Sequence, residues 1–262
     1  MKTILVTGGS GGLGSELVPR LAAAGFCVRV LSRRPAPRQL AAGVEWAQGD
    51  LATGEGLAQA VAGVDQIIHA ATLPQPFRKA TQAFDVTSTE RLLRAAEAAG
   101  VRDFLYISII GIERIPFFYY KQKLAAEKLV QQSSLNWSIL RAAQFHSFVA
   151  LLTSTLARLP ILLIPTDFHF QTIETGEVAE EIVRGIMAGQ NGRWPDLAGP
   201  QMMTWGEMAQ SWLAARGQKR RVWWLPIPGK VGQGFRAGYN CAPERPSGQV
   251  TWEEWLQGEK VA

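Results

Sequence analysis

The 262-residue sequence predicts an α/β fold: a doubly wound, mostly parallel sheet followed by a smaller C-terminal region. Three observations carry the prediction. Strand-like and helix-like runs alternate over the first 143 residues, several strands are apolar on both faces, and a glycine-rich turn links the first strand to the first helix. Strands buried on both faces belong to parallel sheets covered by helices. Alternation of this length builds right-handed βαβ units.

TILVT (3–7) is the first strand, and the helical run 13–24 follows the glycines directly. CVRVL (27–31) and VEWA (44–47) are the next two strands, with a short helical run at 55–62. QIIHA (66–70) precedes a helical run at 80–99, FLYIS (104–108) precedes one at 119–132, and WSILR (137–141) is the sixth strand. Residues 1–143 are therefore expected to form a dinucleotide-binding core. Residues 144–262 are expected to form a smaller substrate-side region folded onto it as one continuous unit. Within that region FVALLTSTLARLPILLIP (148–165) carries Arg158, three hydroxyl residues and Pro160. It falls short of the roughly 20 apolar residues of a membrane span and reads as a helix followed by an apolar stretch buried within the protein or at a subunit contact. Seven of the nine tryptophans lie between 194 and 262, where a helix is expected over 205–215.

Composition narrows the function classes. With 47% hydrophobic and 19% charged residues the chain can bury a large core, and disorder is excluded. A net charge of +5 suits an anionic small ligand, and no basic run is long enough to argue for nucleic acid; KRR at 219–221 reads as a solvated turn. Cys27 and Cys241 stand alone, which implies neither a disulfide frame nor a metal site. No leader is expected before TILVT, and a cytoplasmic protein fits.

The strongest motif is TGGSGGLG, Thr7 to Gly14, between the first strand and first helix. Glycines there permit a tight turn and let backbone N–H groups approach a pyrophosphate at the positive helix end. Gly8, Ser10, Gly11, Gly12, Leu13 and Gly14 are accordingly the phosphate-binding candidates of a Rossmann-type site. An NAD site holds the ribose hydroxyls with an acid about 20 residues further on, yet residues 17–44 contain no Asp or Glu. The second strand ends instead in Ser32, Arg33 and Arg34, whose guanidinium forks suit a 2′-phosphate, so NADP(H) is the expected cofactor.

TGGSGGLG, LSRR (31–34), GDL (49–51), GVDQIIHAA (63–71), AAEAAGVRDFLYIS (95–108) and YYKQKLAAEKLV (119–130) together resemble the atypical short-chain dehydrogenase/reductases. The NmrA-like branch, often labelled nucleotide-sugar epimerases, is the nearest in pattern. The likeness continues through LNWSILRAAQFHSF (135–148), EVAEEIV (177–183) and LAGPQMMTWGEMAQ (197–210), nearly the whole chain. The resemblance implies that Asp50 meets the adenine amino group with Leu51 beside the ring, and that Ala70 and Ala71 pass close to the cofactor ribose. Asp50 also reads as the N-cap of the following helix. His69 reads as a half-buried strand residue.

The resemblance also assigns a chemistry to Ser108, Tyr119 and Lys123. Tyr119 supplies the proton, Lys123 lowers its pKa and binds the nicotinamide ribose, and Ser108 orients the carbonyl. A phenol with an ordinary pKa near 10 is a poor acid–base group at neutral pH, hence the need for an ammonium. The spacing alone also allows Lys123 to pair with Glu127 one turn on. The stretch 144–171 is apolar, with Gln144, His146 and His169 as polar groups, and suggests an apolar substrate such as a quinone, an enone or a ring ketone. Two classes of function remain open: an NADPH-dependent reductase or epimerase-like enzyme, and an NmrA-type redox sensor in which no hydride moves. A homodimer is a further possibility.

Overall fold

The computed structural model describes residues 1–72 and 84–258. The first half of the chain runs β1 (Thr3–Thr7), α1 (Gly12–Ala23), β2 (Cys27–Ser32), β3 (Val44–Gln48), α2 (Leu57–Val61), β4 (Gln66–His69), α3 (Phe84–Ala98), β5 (Asp103–Ile109), α4 (Phe118–Gln132) and β6 (Asn136–Ala142). It continues through α5 (His146–Leu156), β7 (Ile161–Ile164), β8 (His169–Phe170), α6 (Thr175–Met187) and β9 (Gly192–Arg193). Last come β10 (Met203–Thr204), α7 (Trp205–Ala215), β11 (Arg221–Trp224), α8 (Gly229–Arg236) and α9 (Trp252–Gly258). All six strands expected before residue 143 form, each within a residue or two of its expected ends. Residues 80–83 of the expected third helix lie outside the described residues.

The described residues divide into two compact units, each made of three chain segments. The first comprises Met1–Ser108, Phe118–Leu140 and Ala179–Pro195. It holds most of a seven-stranded sheet of order β3-β2-β1-β4-β5-β6-β9. β1 pairs in parallel with β2 on one side and with β4 on the other. β2–β3, β4–β5 and β6–β9 are parallel too. This is the doubly wound fold that the both-sides-apolar strands require. Leu5, Ile67, Phe104 and Tyr106 from the sheet pack against Leu57, Leu92, Ala126 and Val130 from α2, α3 and α4. The winding reverses between β1 and β4, so their carboxyl ends open a crevice at a topological switch point, the usual ligand site of open α/β sheets.

The second unit comprises Ile109–Phe117, Arg141–Val178 and the chain from Asp196 on. Its sheets are small: β8 pairs antiparallel with β10, and β7 pairs in parallel with β11. Helix α7 starts in a capping box, with the Thr204 hydroxyl and the Glu207 carboxylate each accepting the other's backbone N–H. His146 is buried under the rings of Trp252 and Trp255, its Nδ1 against the Thr172 hydroxyl (2.7 Å) and its Nε2 donating to the Val250 carbonyl (3.1 Å).

Candidate functional site

The glycine turn is built as a cradle. Gly8 has φ +73°, and a Cβ on it would stand 2.8 Å from the Ala71 nitrogen. A Cβ on Gly14 would overlap the Gly8 carbonyl and the Gly9 Cα, so helix α1 can meet β1 this closely only with glycine there. Gly11 is the N-cap in extended backbone, and no side chain caps the helix. The first-turn N–H groups at Gly12, Leu13 and Gly14 are thus left to a ligand at the positive end of the helix. Ser10, Gly11 and Gly12 are exposed, whereas Leu13 and Gly14 are buried. These residues fit a dinucleotide pyrophosphate.

The flanking candidates sit around the same crevice. Ala70 N–H donates to the Thr7 carbonyl (3.3 Å) and Ala71 N–H to the Thr7 hydroxyl (3.2 Å), which brings the end of β4 against the glycine turn. Ser32 closes β2 and its hydroxyl accepts the Arg34 N–H (3.1 Å), shaping a turn that leaves Arg33 and Arg34 exposed. The indole N–H of Trp46 donates to the Arg34 carbonyl (2.9 Å) and pins that turn. Leu51 is buried. Asp50 is not a helix cap: its carboxylate accepts the Ala52 N–H (2.8 Å) within a local turn, and α2 starts later, capped by Gly56 with φ 73°.

His69 departs from its expected half-buried state and is fully enclosed. The Thr7 hydroxyl, which accepts from Ala71, donates to Nδ1 of His69 (2.7 Å). The Thr89 hydroxyl, which donates to the Asp85 carbonyl, accepts from Nε2 (3.1 Å). The chain of donors assigns a neutral, Nε2-protonated ring. Burial, helped by the nearby Lys123 charge, pushes its pKa down to about 3.

The Tyr119–Lys123 pair lies in the same unit, on the first two turns of α4. Lys123 is 4% exposed; its ammonium donates to the Ile107 carbonyl (2.7 Å), stands 3.7 Å from Asp85 Oδ1 and lies 4.1 Å above the Tyr106 ring. Burial lowers its pKa, and the charges of Asp85 and Glu127 work against that. Glu127, the partner suggested by spacing, is also buried and contributes through its charge. The Tyr119 hydroxyl is 2.8 Å from that of Thr72, which donates to Asp85 Oδ1 (2.9 Å). The Thr72 oxygen therefore accepts a hydrogen bond from the phenol. Ser108, next in β5 to the carbonyl that holds Lys123, is 2% exposed, and its hydroxyl has no hydrogen-bond partner among the described residues. A buried, unpaired hydroxyl is costly unless a ligand completes it.

Two features depart from the expectation. Asp85 was not singled out in the sequence, yet it joins Thr72, Tyr119 and Lys123 into one buried network. The Tyr119 pKa is raised, not lowered: burial dominates and the Asp85 charge adds to it, against the Thr72 hydrogen bond. The polar groups of the apolar stretch 144–171 are engaged locally: His146 and His169 serve the second unit's own packing. His169 Nδ1 donates to the Arg236 carbonyl (2.7 Å), and Gln144 accepts from Asn240 (3.4 Å).

A sequence profile described as NAD(P)H-binding matches residues 8–155. A (4-alkanoyl-5-oxo-2,5-dihydrofuran-3-yl)methyl phosphate reductase of Streptomyces griseus is 30% identical over 212 residues, covering 77% of this chain and 69% of that protein. A 3-beta-hydroxysteroid dehydrogenase of Mycolicibacterium neoaurum is 33% identical over 153 residues, 48% of this chain; the chain spans only 42% of that relative's length. Among solved structures, an NADPH-dependent quinone oxidoreductase from Escherichia coli complexed with NADPH superposes with a TM-score of 0.78 at 18% identity, covering 98% of this chain and 99% of that one. The matched residues hold the glycine cradle, the crevice beside β1 and the Tyr119–Lys123 helix. The chain thus belongs to the NAD(P)H-binding family, in keeping with its resemblance to the atypical short-chain dehydrogenase/reductases of the NmrA-like branch.

Proposed function

We propose that this protein is an NADPH-dependent reductase of a small apolar carbonyl, enone or quinone. The observation that carries the reading is Ser108: a buried hydroxyl with no hydrogen-bond partner among the described residues, one residue from the carbonyl that fixes Lys123. The names of the relatives support it, since one is a reductase and one fold neighbour is an NADPH-dependent quinone oxidoreductase. Gly8, Ser10, Gly11, Gly12, Leu13 and Gly14 would hold the pyrophosphate. Ser32, Arg33 and Arg34 would hold a 2′-phosphate, Asp50 and Leu51 the adenine, and Ala70, Ala71 and Lys123 the ribose near the nicotinamide. When bound, NADPH supplies the hydride.

The chain's own groups handle the proton. Ser108 donates to the substrate oxygen and orients it, and Tyr119 gives its phenolic proton to that oxygen as negative charge develops. Burial and the Asp85 charge raise the phenol's pKa, which keeps it protonated but makes it a weaker acid, so donation depends on the nearby Lys123 ammonium to stabilise the phenolate. Lys123 offsets the charge left on the phenolate, while Asp85 and Thr72 keep the phenol and ammonium in place.

The test is a screen of quinones, enones and ring ketones followed by NADPH absorbance. On an accepted substrate Tyr119→Phe should retain cofactor affinity and lose roughly 10²–10⁴ in turnover, the usual worth of a placed acid. Full turnover in that variant would remove Tyr119 from the chemistry. Tight NADPH binding with no turnover on any compound would favour the sensor reading instead.

A further inference from the structure

The two-stranded parallel sheet of β7 and β11 exposes a face that neither the cofactor site nor the second unit's core uses. Register sets Arg221 beside Ile161 and Trp223 beside Leu163. Paired residues of a parallel sheet point to the same side. Leu162 and Ile164 point inward and are fully buried, whereas on the opposite side Leu163 is 44% and Trp223 53% exposed. Leu159, just before β7, is exposed as well.

Charge on this face has one sign. Lys219, Arg220 and Arg221 are exposed at the amino ends of the strands, with Arg158 across from them; the Arg220 guanidinium reaches the Ala157 carbonyl (3.4 Å). The three cations of 219–221 line an open hollow of about 620 Å³ together with Gln210, Leu213 and Val222. Residues 208–243 contain Arg216, Lys219, Arg220, Arg221, Lys230 and Arg236 and no Asp or Glu. Between 142 and 166 the only charged residue is Arg158. Two of these cations are engaged elsewhere: Arg216 lies over the Trp212 ring, and Arg236 meets Asp167 (3.6 Å). Lys219, Arg220, Arg221 and Arg158 form no ion pair among the described residues.

We infer that this face docks on an anionic phospholipid bilayer. Trp223 and Leu163 with adjoining cations match the two layers of a membrane surface. Indoles settle at the headgroup level, and Lys and Arg meet the lipid phosphates. A second copy of the chain is a poor occupant, because a two-fold contact through these strands brings like charges together with no acid to offset them. The association is peripheral, since no described helix is long and apolar enough to cross a membrane.

Cosedimentation with vesicles tests this on the whole protein. The unmutated chain should pellet with phosphatidylcholine mixed with phosphatidylglycerol, stay in solution with pure phosphatidylcholine, and be released by high salt. Replacing Lys219, Arg220 and Arg221 together by Gln should lower the partition on the order of a hundredfold, about fivefold per cation. Trp223→Ser should abolish the extra fluorescence quenching that brominated lipids cause in the unmutated protein. The thermal midpoint of each variant should stay unchanged, and the lipid and salt dependence of the unmutated chain needs no variant at all. Failure to pellet with the anionic vesicles would overturn the inference. So would pelleting of the Gln variant equal to that of the unmutated chain, or a dimer that the tryptophan replacement dissolves.

Discussion

At Lys123 burial and the neighbouring charges pull in opposite directions. Burial lowers its pKa, while the charges of Asp85 and Glu127 work against that and the Ile107 carbonyl accepts a hydrogen bond from its amine. Asp85→Asn keeps the shape but removes charge from the network. Breaking a buried pair from one side costs about 3 kcal/mol, so urea unfolding should shift by that order. The Tyr119 pKa should fall in the same variant, because Asp85 is one of the two causes that raise it. In an active assay this should appear as a descent of the alkaline limb of the pH–rate profile to lower pH. His69 and His146 make a separate prediction about acid. Both are buried, and burial lowers their pKa values from about 6.5 to about 3 and about 4. Their contribution to stability is complete above pH 6.5, where the unfolded imidazole is neutral too. It declines as pH falls towards those folded values, because only the unfolded chain takes up the protons. Between pH 6.5 and 5, before ordinary carboxylates protonate, each should cost about 1.5 kcal/mol in urea titrations, and His69→Gln should remove its share of the slope.

Among the elements, those that were plain in the sequence are those whose own residues decide them. β1, β4 and β5 are apolar on both faces and long enough to show it, and Thr7 to Gly14 carries the steric reason for its turn in the glycines themselves. Gly14→Ala should accordingly weaken NADPH binding more than tenfold by calorimetry, because a Cβ there has to displace the Gly8 carbonyl that shapes the cradle. The arginine turn after β2 makes a narrower prediction. Arg33→Ala with Arg34→Ala should cost on the order of 1.5–3 kcal/mol of NADPH affinity while NADH affinity barely moves. Equal affinity of the unmutated protein for both cofactors would remove the basis of that expectation. What could not be read was assembled from distant pieces. Asp85 looks like an ordinary acid in the first turn of a helix, and its partners come from Thr72 after β4 and from Tyr119 and Lys123 on α4. His146 sits in an apolar run that suggests a ligand pocket, yet its bonds go to Thr172 and to Val250, about a hundred residues away. Strands of two residues, such as β8, β9 and β10, are too short to carry any periodicity.

For the molecule as a whole, a ligand that binds only the folded chain must raise its stability by mass action. NADPH at about 100 times its dissociation constant should add about 2.7 kcal/mol and move the melting curve upward, with NADH adding less at the same concentration. The two units bear on a different property, the order in which the chain becomes able to fold during synthesis. Neither is a continuous stretch: the sheet unit takes 1–108, then 118–140, then 179–195, with the other unit's residues in between. Strand β9, at the edge of the sheet, emerges from the ribosome after the cofactor cradle, the Lys123 network and all of β6. A nascent chain halted near residue 143 would carry almost every residue assigned here to the cofactor and still display an open strand edge at β6. Such edges recruit other chains. Arrested chains of that length should therefore aggregate or hold chaperones, and those halted beyond 195 should not, although both contain the same glycine motif.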